Sequence, residues 1–193
     1  MKLILTRHGE TEENKKGIIM GNTIQGILTP LGIEQAKKLA DRLKDEKFDH
    51  IYSSPLSRSA KAANMIAEFH KDTPIDFVDE LKEIDAGSRA GTLGEKDSNK
   101  NLINLAPDAE SFESMQQRAK KLIDKVYEKY PDGNILFVAH GHINKIILTV
   151  IENKPAEHIL KYSNPPNTSI SIFEIKEDKN HIVHLLNCTK HLD

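Results

Sequence analysis

An α/β fold whose core strands are covered on both faces by helices is what this sequence predicts, and three observations predict it. Two short apolar runs, Leu3-Ile4-Leu5 and Ile135-Leu136-Phe137-Val138, are continuous, as strands buried on both sides require. Segments between and beyond them carry apolar residues at helical spacing. The C-terminal stretch instead alternates polar and apolar, as an antiparallel pair does. A length of 193 residues fits one compact domain over 1–193.

Lys2-Leu-Ile-Leu-Thr6 reads as the first core strand. Ala36, Leu39, Ala40 and Leu43, following Thr29-Pro30-Leu31-Gly32, predict an amphipathic helix over roughly 31–46. A short strand at about 49–53 leads into Ser53-Ser54-Pro55, where a serine cap and a proline at the first helical position predict a helix start. That helix carries Ala60, Ala63, Ile66 and Ala67, with Arg58 in its first turn.

Between Ala86 and Pro107 periodicity fades and Gly, Ser, Asn and Lys increase, which suits a functional lid at 86–107 more than a linker. Lys96 and Lys100 in this stretch read as solvated loop charges. Phe112, Met115, Ala119, Leu122 and Val126 mark a helix at about 110–129, closed by Pro131-Asp132-Gly133. Another helix, at about 143–152, leaves directly from His140-Gly141. Ser169–Ile175 and His181–Leu186, separated by Glu177-Asp178-Lys179-Asn180, form the expected terminal hairpin.

A formal net charge of −2 and the lack of a long Lys/Arg block argue against a nucleic-acid or anionic-membrane partner. No stretch approaches the roughly 20 apolar residues of a membrane span, and no signal-peptide pattern precedes the first strand, so a cytoplasmic location is expected. The single cysteine, Cys188, excludes an intramolecular disulfide framework and a thiolate-rich metal site, and reads as a buried or half-buried strand residue. A monomer or small homo-oligomer is expected.

Each core run ends near a His-Gly pair, Arg7-His8-Gly9 and Ala139-His140-Gly141, and ligands of open α/β sheets bind beyond the carboxyl ends of strands. Arg7 and Arg58 offer two guanidinium forks for a phosphate dianion. Gly9 and Gly141 allow a ligand or another backbone to approach the histidines closely. Phosphoryl transfer needs an in-line nucleophile, cations about the equatorial oxygens and a proton source for the leaving oxygen. Neutral His8 suits the nucleophile, with its second ring nitrogen held by an acceptor, and His140 suits a donor to the phosphoryl group. Periodicity does not choose the required carboxyl group.

These residues resemble the histidine phosphatase superfamily, which includes the cofactor-dependent phosphoglycerate mutases. The resemblance rests on Arg7-His8-Gly9-Glu10-Thr11 with Asn14, on Ser54-Pro55-Leu56-Ser57-Arg58, on Leu81-Lys82-Glu83 with Gly87 and Gly91, and on His140-Gly141, in the family's order over residues 2 to about 151. It implies a three-layer α/β/α sandwich with a mostly parallel central sheet and an antiparallel edge. It also implies that His8 is the nucleophile and Glu83 the acid and base, while Arg7, Asn14, Arg58 and His140 bind the phosphoryl group. Gly141 would add a backbone contact, Gly21 and His142 would face the substrate, and neither metal nor cofactor is called for. His140-x-His142 lacks an evident third metal ligand.

The chain lacks the long insertion of glycolytic mutases after the acidic motif, so the resemblance favours the phosphatase branch. Arg89-Ala90 replaces an aromatic-acidic pair, and Met20-Gly21 replaces a hydroxyl residue before glycine. The expected partner is a small phosphorylated metabolite, hydrolysed through phosphohistidine. A phosphomutase and a non-catalytic phospho-ligand binding module are the alternatives; pure binding does not require two histidines and an acid.

Overall fold

The computed structural model of the protein describes residues 1–95 and 98–193, so Lys96 lies outside the described residues. Six strands form one sheet in the order β3-β2-β4-β1-β5-β6. They are β1 (Lys2–Arg7), β2 (His50–Ser53), β3 (Ile75–Phe77), β4 (Asn134–Ala139), β5 (Ile170–Glu174) and β6 (Ile182–Cys188). β3, β2, β4 and β1 run parallel, and β5 and β6 close the edge antiparallel, as the sequence led one to expect. Cys188 ends β6 half-buried.

Side-chain alternation along β1 and β4 explains why both runs are wholly apolar. Leu3, Leu5, Ile135 and Phe137 join the core beneath α5 (Phe112–Lys129) and α6 (Gly141–Ile151). Ile4, Leu136 and Val138 join the opposite core, beneath α2 (Pro30–Leu43) and α3 (Ser57–Ala67). Each strand therefore feeds two hydrophobic layers at once. α1 (Glu12–Lys16) and α4 (Ser98–Ile103) are short and sit in the loops. Among the described residues no helix is long and apolar enough to cross a membrane.

Several helix boundaries differ from the sequence expectation, two of them informatively. α2 ends at Leu43, short of residue 46. α3 starts at Ser57, two residues past Pro55, and its cap position, Leu56, has no side-chain hydrogen bond. Ser54 is not the expected cap: its hydroxyl accepts from the Leu56 amide at 3.3 Å and lies 2.8 Å from His140 Nε2. The residue that propensity assigns to capping is drawn to His140 instead.

Residues 86–107 hold more structure than their composition suggests. A 3-10 turn covers Gly87–Arg89, α4 follows, and Leu93 bridges to Ile18. Arg89 Nη1 donates to the Asn104 carbonyl at 2.6 Å, tying the two ends of the segment together. Lys100 is exposed.

α2 enters the sheet through a glycine contact. A Cβ at Gly9 would lie 2.2 Å from the Gly32 carbonyl oxygen, and one at Gly32 would lie 2.0 Å from the Glu10 carbonyl oxygen. Gly9 thus admits a neighbouring helix turn. Gly32→Ala sets a methyl against backbone that has no free rotamer to yield, so it is expected to cost about 3 kcal/mol, the upper end of ordinary overpacking penalties. Urea unfolding of the purified variant measures this.

Candidate active site

β1 and β4 are parallel neighbours with Arg7 aligned to Ala139. The next residue on each strand is therefore histidine, and the His8 amide donates to the Ala139 carbonyl at 3.1 Å. After His8 the chain passes to α2 on one face, whereas after His140 it enters α6 on the other. The divergence leaves a crevice at the carboxyl ends of both strands. The two imidazole centroids lie 5.2 Å apart, tilted by 59°. Ser54 follows β2, whose Ser53 is aligned with Val138, and Glu83 follows β3 through the 3-10 turn Asp79–Leu81. All four motifs thus reach one edge of the sheet.

The tautomers of both histidines follow from their partners. His8 Nδ1 lies 2.7 Å from the Gly9 carbonyl, which only accepts, so Nδ1 carries the proton and Nε2 keeps its lone pair. His140 Nδ1 accepts from Arg58 Nε at 3.1 Å, and so Nε2–H donates to Ser54 Oγ at 2.8 Å. Burial, then Arg58 and Arg7, hold the His8 ring well below the ordinary histidine range, against the opposing Gly9 bond. Burial and Arg58 do the same to His140. Both rings are neutral at physiological pH.

The two guanidiniums are not equivalent. Arg58 Nη1 donates to the Ile24 and Gln25 carbonyls at 2.5 and 3.1 Å, and Nη2 donates to the Gly21 carbonyl at 2.9 Å. With Nε on His140, four of its five donors are committed, which fixes the group in place. Burial pulls it down to about 10, still charged at neutral pH. Arg7 donates Nη1 to the Pro165 carbonyl at 2.7 Å, while its buried Nε has no acceptor. An orphaned, buried, charged donor is costly, and a ligand acceptor would relieve it.

Glu83 supplies the carboxylate, almost fully buried. Its oxygens accept from the amides of Ile84, His142 and Ile143, each at 3.1 Å. The last two are first-turn donors of α6, so Glu83 caps a helix to which it is not joined locally. Burial alone would raise the carboxyl. The neighbouring His142 ring, the amides of His142 and Ile84, and Arg58 hold it below the usual glutamate value. Burial keeps the His142 ring below the usual histidine value despite Glu83, and neither of its ring nitrogens has a hydrogen-bond partner.

Arg7, His8, Asn14, Gly21, Arg58, Glu83, Gly141 and His142, all singled out from sequence, line one cavity of about 700 Å³. His140 is fully buried, and both its ring nitrogens are engaged by protein. A Cβ at Gly141 would meet Asn164 Oδ1 at 2.6 Å, so that glycine admits a neighbouring side chain. Asn14 Oδ1 accepts from the Thr11 amide at 3.3 Å within a capping box that orders α1.

Sequence reasoning missed five participants. Ser54 was read as a helix cap. Asn167 Nδ2 donates to the His8 carbonyl at 3.0 Å, and the Thr168 amide donates to the Arg7 carbonyl at 3.1 Å. Ser163-Asn-Pro-Pro-Asn-Thr168, a dense turn cluster just before β5, was the available signal. Arg118 of α5 and Glu110 in the loop before it lie behind Glu83, and no local pattern marked either.

A sequence model of the histidine phosphatase superfamily (branch 1) matches residues 3–188. The uncharacterized phosphatase PhoE of Bacillus subtilis (strain 168) is 33% identical over 91% of this chain and 89% of its own length. A metal-independent phosphoserine phosphatase of Arabidopsis thaliana is 29% identical over 92% of this chain and 78% of its own. Among solved structures, a phosphoserine phosphatase from Entamoeba histolytica in complex with 3-phosphoglyceric acid superposes with a TM-score of 0.83, at 30% identity over 99% of this chain and 98% of that one.

The three neutral histidines carry a consequence for stability. Their folded values lie below the reference of 6.5, so as pH falls beneath 6.5 the unfolded chain takes up protons that the folded chain does not. The stability they allow is full above 6.5 and declines as pH drops towards their folded values. The melting temperature is expected to fall between about pH 7 and pH 5, and less steeply in His142→Asn. Thermal scans across that range check both.

Proposed function

The chain belongs to the histidine phosphatase superfamily, and on that premise we propose that it hydrolyses small phosphate monoesters through a phosphohistidine formed on His8. The observation that carries this assignment is that His8, with a free lone pair on Nε2, and Arg7, whose Nε has no acceptor, line the same cavity. A nucleophile and an unsatisfied cation in one cavity suit a phosphoryl group better than any neutral ligand.

In the proposed first step, His8 Nε2 attacks phosphorus and the ester P–O bond breaks. The leaving oxygen takes its proton from the Glu83 carboxyl. Charge on the equatorial oxygens is met by Arg7, by the remaining Nη2 donor of Arg58, by the amide of Asn14 and by His142. His140 holds Arg58 through Nδ1, and its Nε2–H serves a phosphoryl oxygen by exchanging Ser54. In the second step, water gives a proton to the Glu83 carboxylate and attacks phosphorus. The P–N bond then breaks, releasing phosphate and neutral His8.

Glu83 must carry a proton when the ester bond breaks, yet in the free site it is held below the usual glutamate range. An incoming phosphate dianion raises it by like-charge repulsion and occupies Arg58, or a monoanion brings the proton itself. Substrate binding thereby arms the acid. The arrangement supplies its own cations, and a metal has no assigned role.

Lys15 and Lys16 stand on the cavity wall, where they suit a carboxylate beyond the phosphate. Together with the relatives that act on phosphoserine or hold 3-phosphoglyceric acid, this supports small acids bearing a phosphate ester as substrates. A cytoplasmic setting belongs to the same reading, in keeping with the single free Cys188.

With 4-nitrophenyl phosphate in the presence of a chelator, the protein is expected to release phosphate continuously. Rapid acid-free quenching should trap an acid-labile phosphoprotein. His8→Ala is expected to abolish both, lowering kcat by about 10³-fold or more. Undiminished turnover in that variant, or binding without turnover across a panel of phosphate esters, overturns the assignment. Phosphoglycerate isomerisation that outpaces phosphate release would mark a mutase.

A further inference from the structure

Glu83 lies in a stretch with no strand or helix of its own. It follows the turn Asp79–Leu81, and the next regular element is the short turn Gly87–Arg89. Backbone groups of such a stretch must find partners outside any ladder. They find them largely on one ion pair, which comes from the start of α5 and the loop before it.

Arg118 Nε and Nη2 grip the Glu110 carboxylate at 2.8 and 3.0 Å, a bidentate pair that is mostly buried. The rest of the fork turns to the acid loop. Nη1 donates to the carbonyls of Glu80 and Lys82 at 2.6 and 2.8 Å, and Nη2 approaches the Glu83 carbonyl at 3.4 Å. Glu110 holds the other flank. Its amide donates to the Asp85 carbonyl at 2.9 Å, and its Oε2 accepts from the Asp85 amide at 3.4 Å. One charge pair thus gathers residues 80, 82, 83 and 85, on both sides of the carboxyl that faces the cleft.

We infer that Arg118, oriented by Glu110, is a positioning residue that sets where the Glu83 carboxyl meets the substrate's leaving oxygen. The inference rests on the proposed acid role of Glu83. Arg118 itself lines a separate cavity behind Glu83, with Asn22, Asp79 and Asp108, and is absent from the wall of the cleft. It touches the cleft only through the loop, while its charge also helps to lower the His140 ring. Lysine keeps the charge but is a point donor, unable to hold a carboxylate by two bonds while reaching three carbonyls.

The test separates positioning from plain stability by the leaving group. Expulsion of an alkoxide from phosphoserine needs the acid, whereas 4-nitrophenolate leaves without one. Under the inference, Arg118→Lys lowers kcat/KM for phosphoserine by about tenfold more than for 4-nitrophenyl phosphate, since misplacement near an ångström costs tens of fold. Glu83→Gln gives the same selectivity more strongly. Glu110→Gln, which keeps the side chain's size and weakens the grip, gives a smaller loss of the same kind and serves if Arg118→Lys does not fold. Equal losses on both esters in the Arg118 and Glu110 variants, with selectivity intact in Glu83→Gln, overturn the clamp alone. No selectivity in Glu83→Gln overturns the acid role and the clamp with it.

Discussion

Parallel pairing of β1 with β4 is the constraint on which the rest of the structure depends. With Arg7 aligned to Ala139, the first residue beyond each strand is a histidine, and neither ring can leave without breaking a ladder buried beneath helices on both faces. The apolar runs at the centre of these strands hold this register because their side chains fill two cores at once. A slip of one residue would send Leu3 and Ile4 into the wrong layers. The hydrophobic interior thereby fixes the distance between two imidazoles that lie 132 residues apart (140 minus 8).

Burial then decides the charge state. Two neutral imidazoles beside two guanidiniums would be an expensive cluster if all four were charged, and desolvation removes the protons from the rings and leaves them on the arginines. Hydrogen bonds to carbonyls hold Arg58 still and leave Arg7 partly unsatisfied. Electrostatic stabilisation of a transferring phosphoryl group is strongest where donors are already oriented and water is excluded. The expected cost is a loss of fold stability at acid pH, so the site and that pH sensitivity share one origin.

The Glu83 carboxylate is organised on a different footing. Neither a strand nor its own helix holds Glu83. Its carboxylate leans on the first turn of α6, and its backbone leans on α5 through Arg118 and Glu110. These are the two helices of one face, so packing of that core and placement of the carboxyl are a single event. The histidines depend on the sheet, and the Glu83 carboxylate depends on the layer above it.

Local patterns in the chain determined a good deal. Continuous apolar runs marked β1 and β4, helical spacing marked α2, α3 and α5, and alternation marked the terminal hairpin, because each periodicity is a property of neighbouring residues. Four motifs in order identified the family and named six residues of the cleft wall. Tertiary structure alone decided the rest. It turned Ser54 from a cap into a partner of His140, gave Gly9 to the first turn of α2, and placed His140 behind Arg58. It also set Arg118 and Glu110 behind Glu83. The reason is sequence separation: the bonds from Arg58 to His140 and from the His142 amide to Glu83 span 82 and 59 residues, and no periodicity reaches that far.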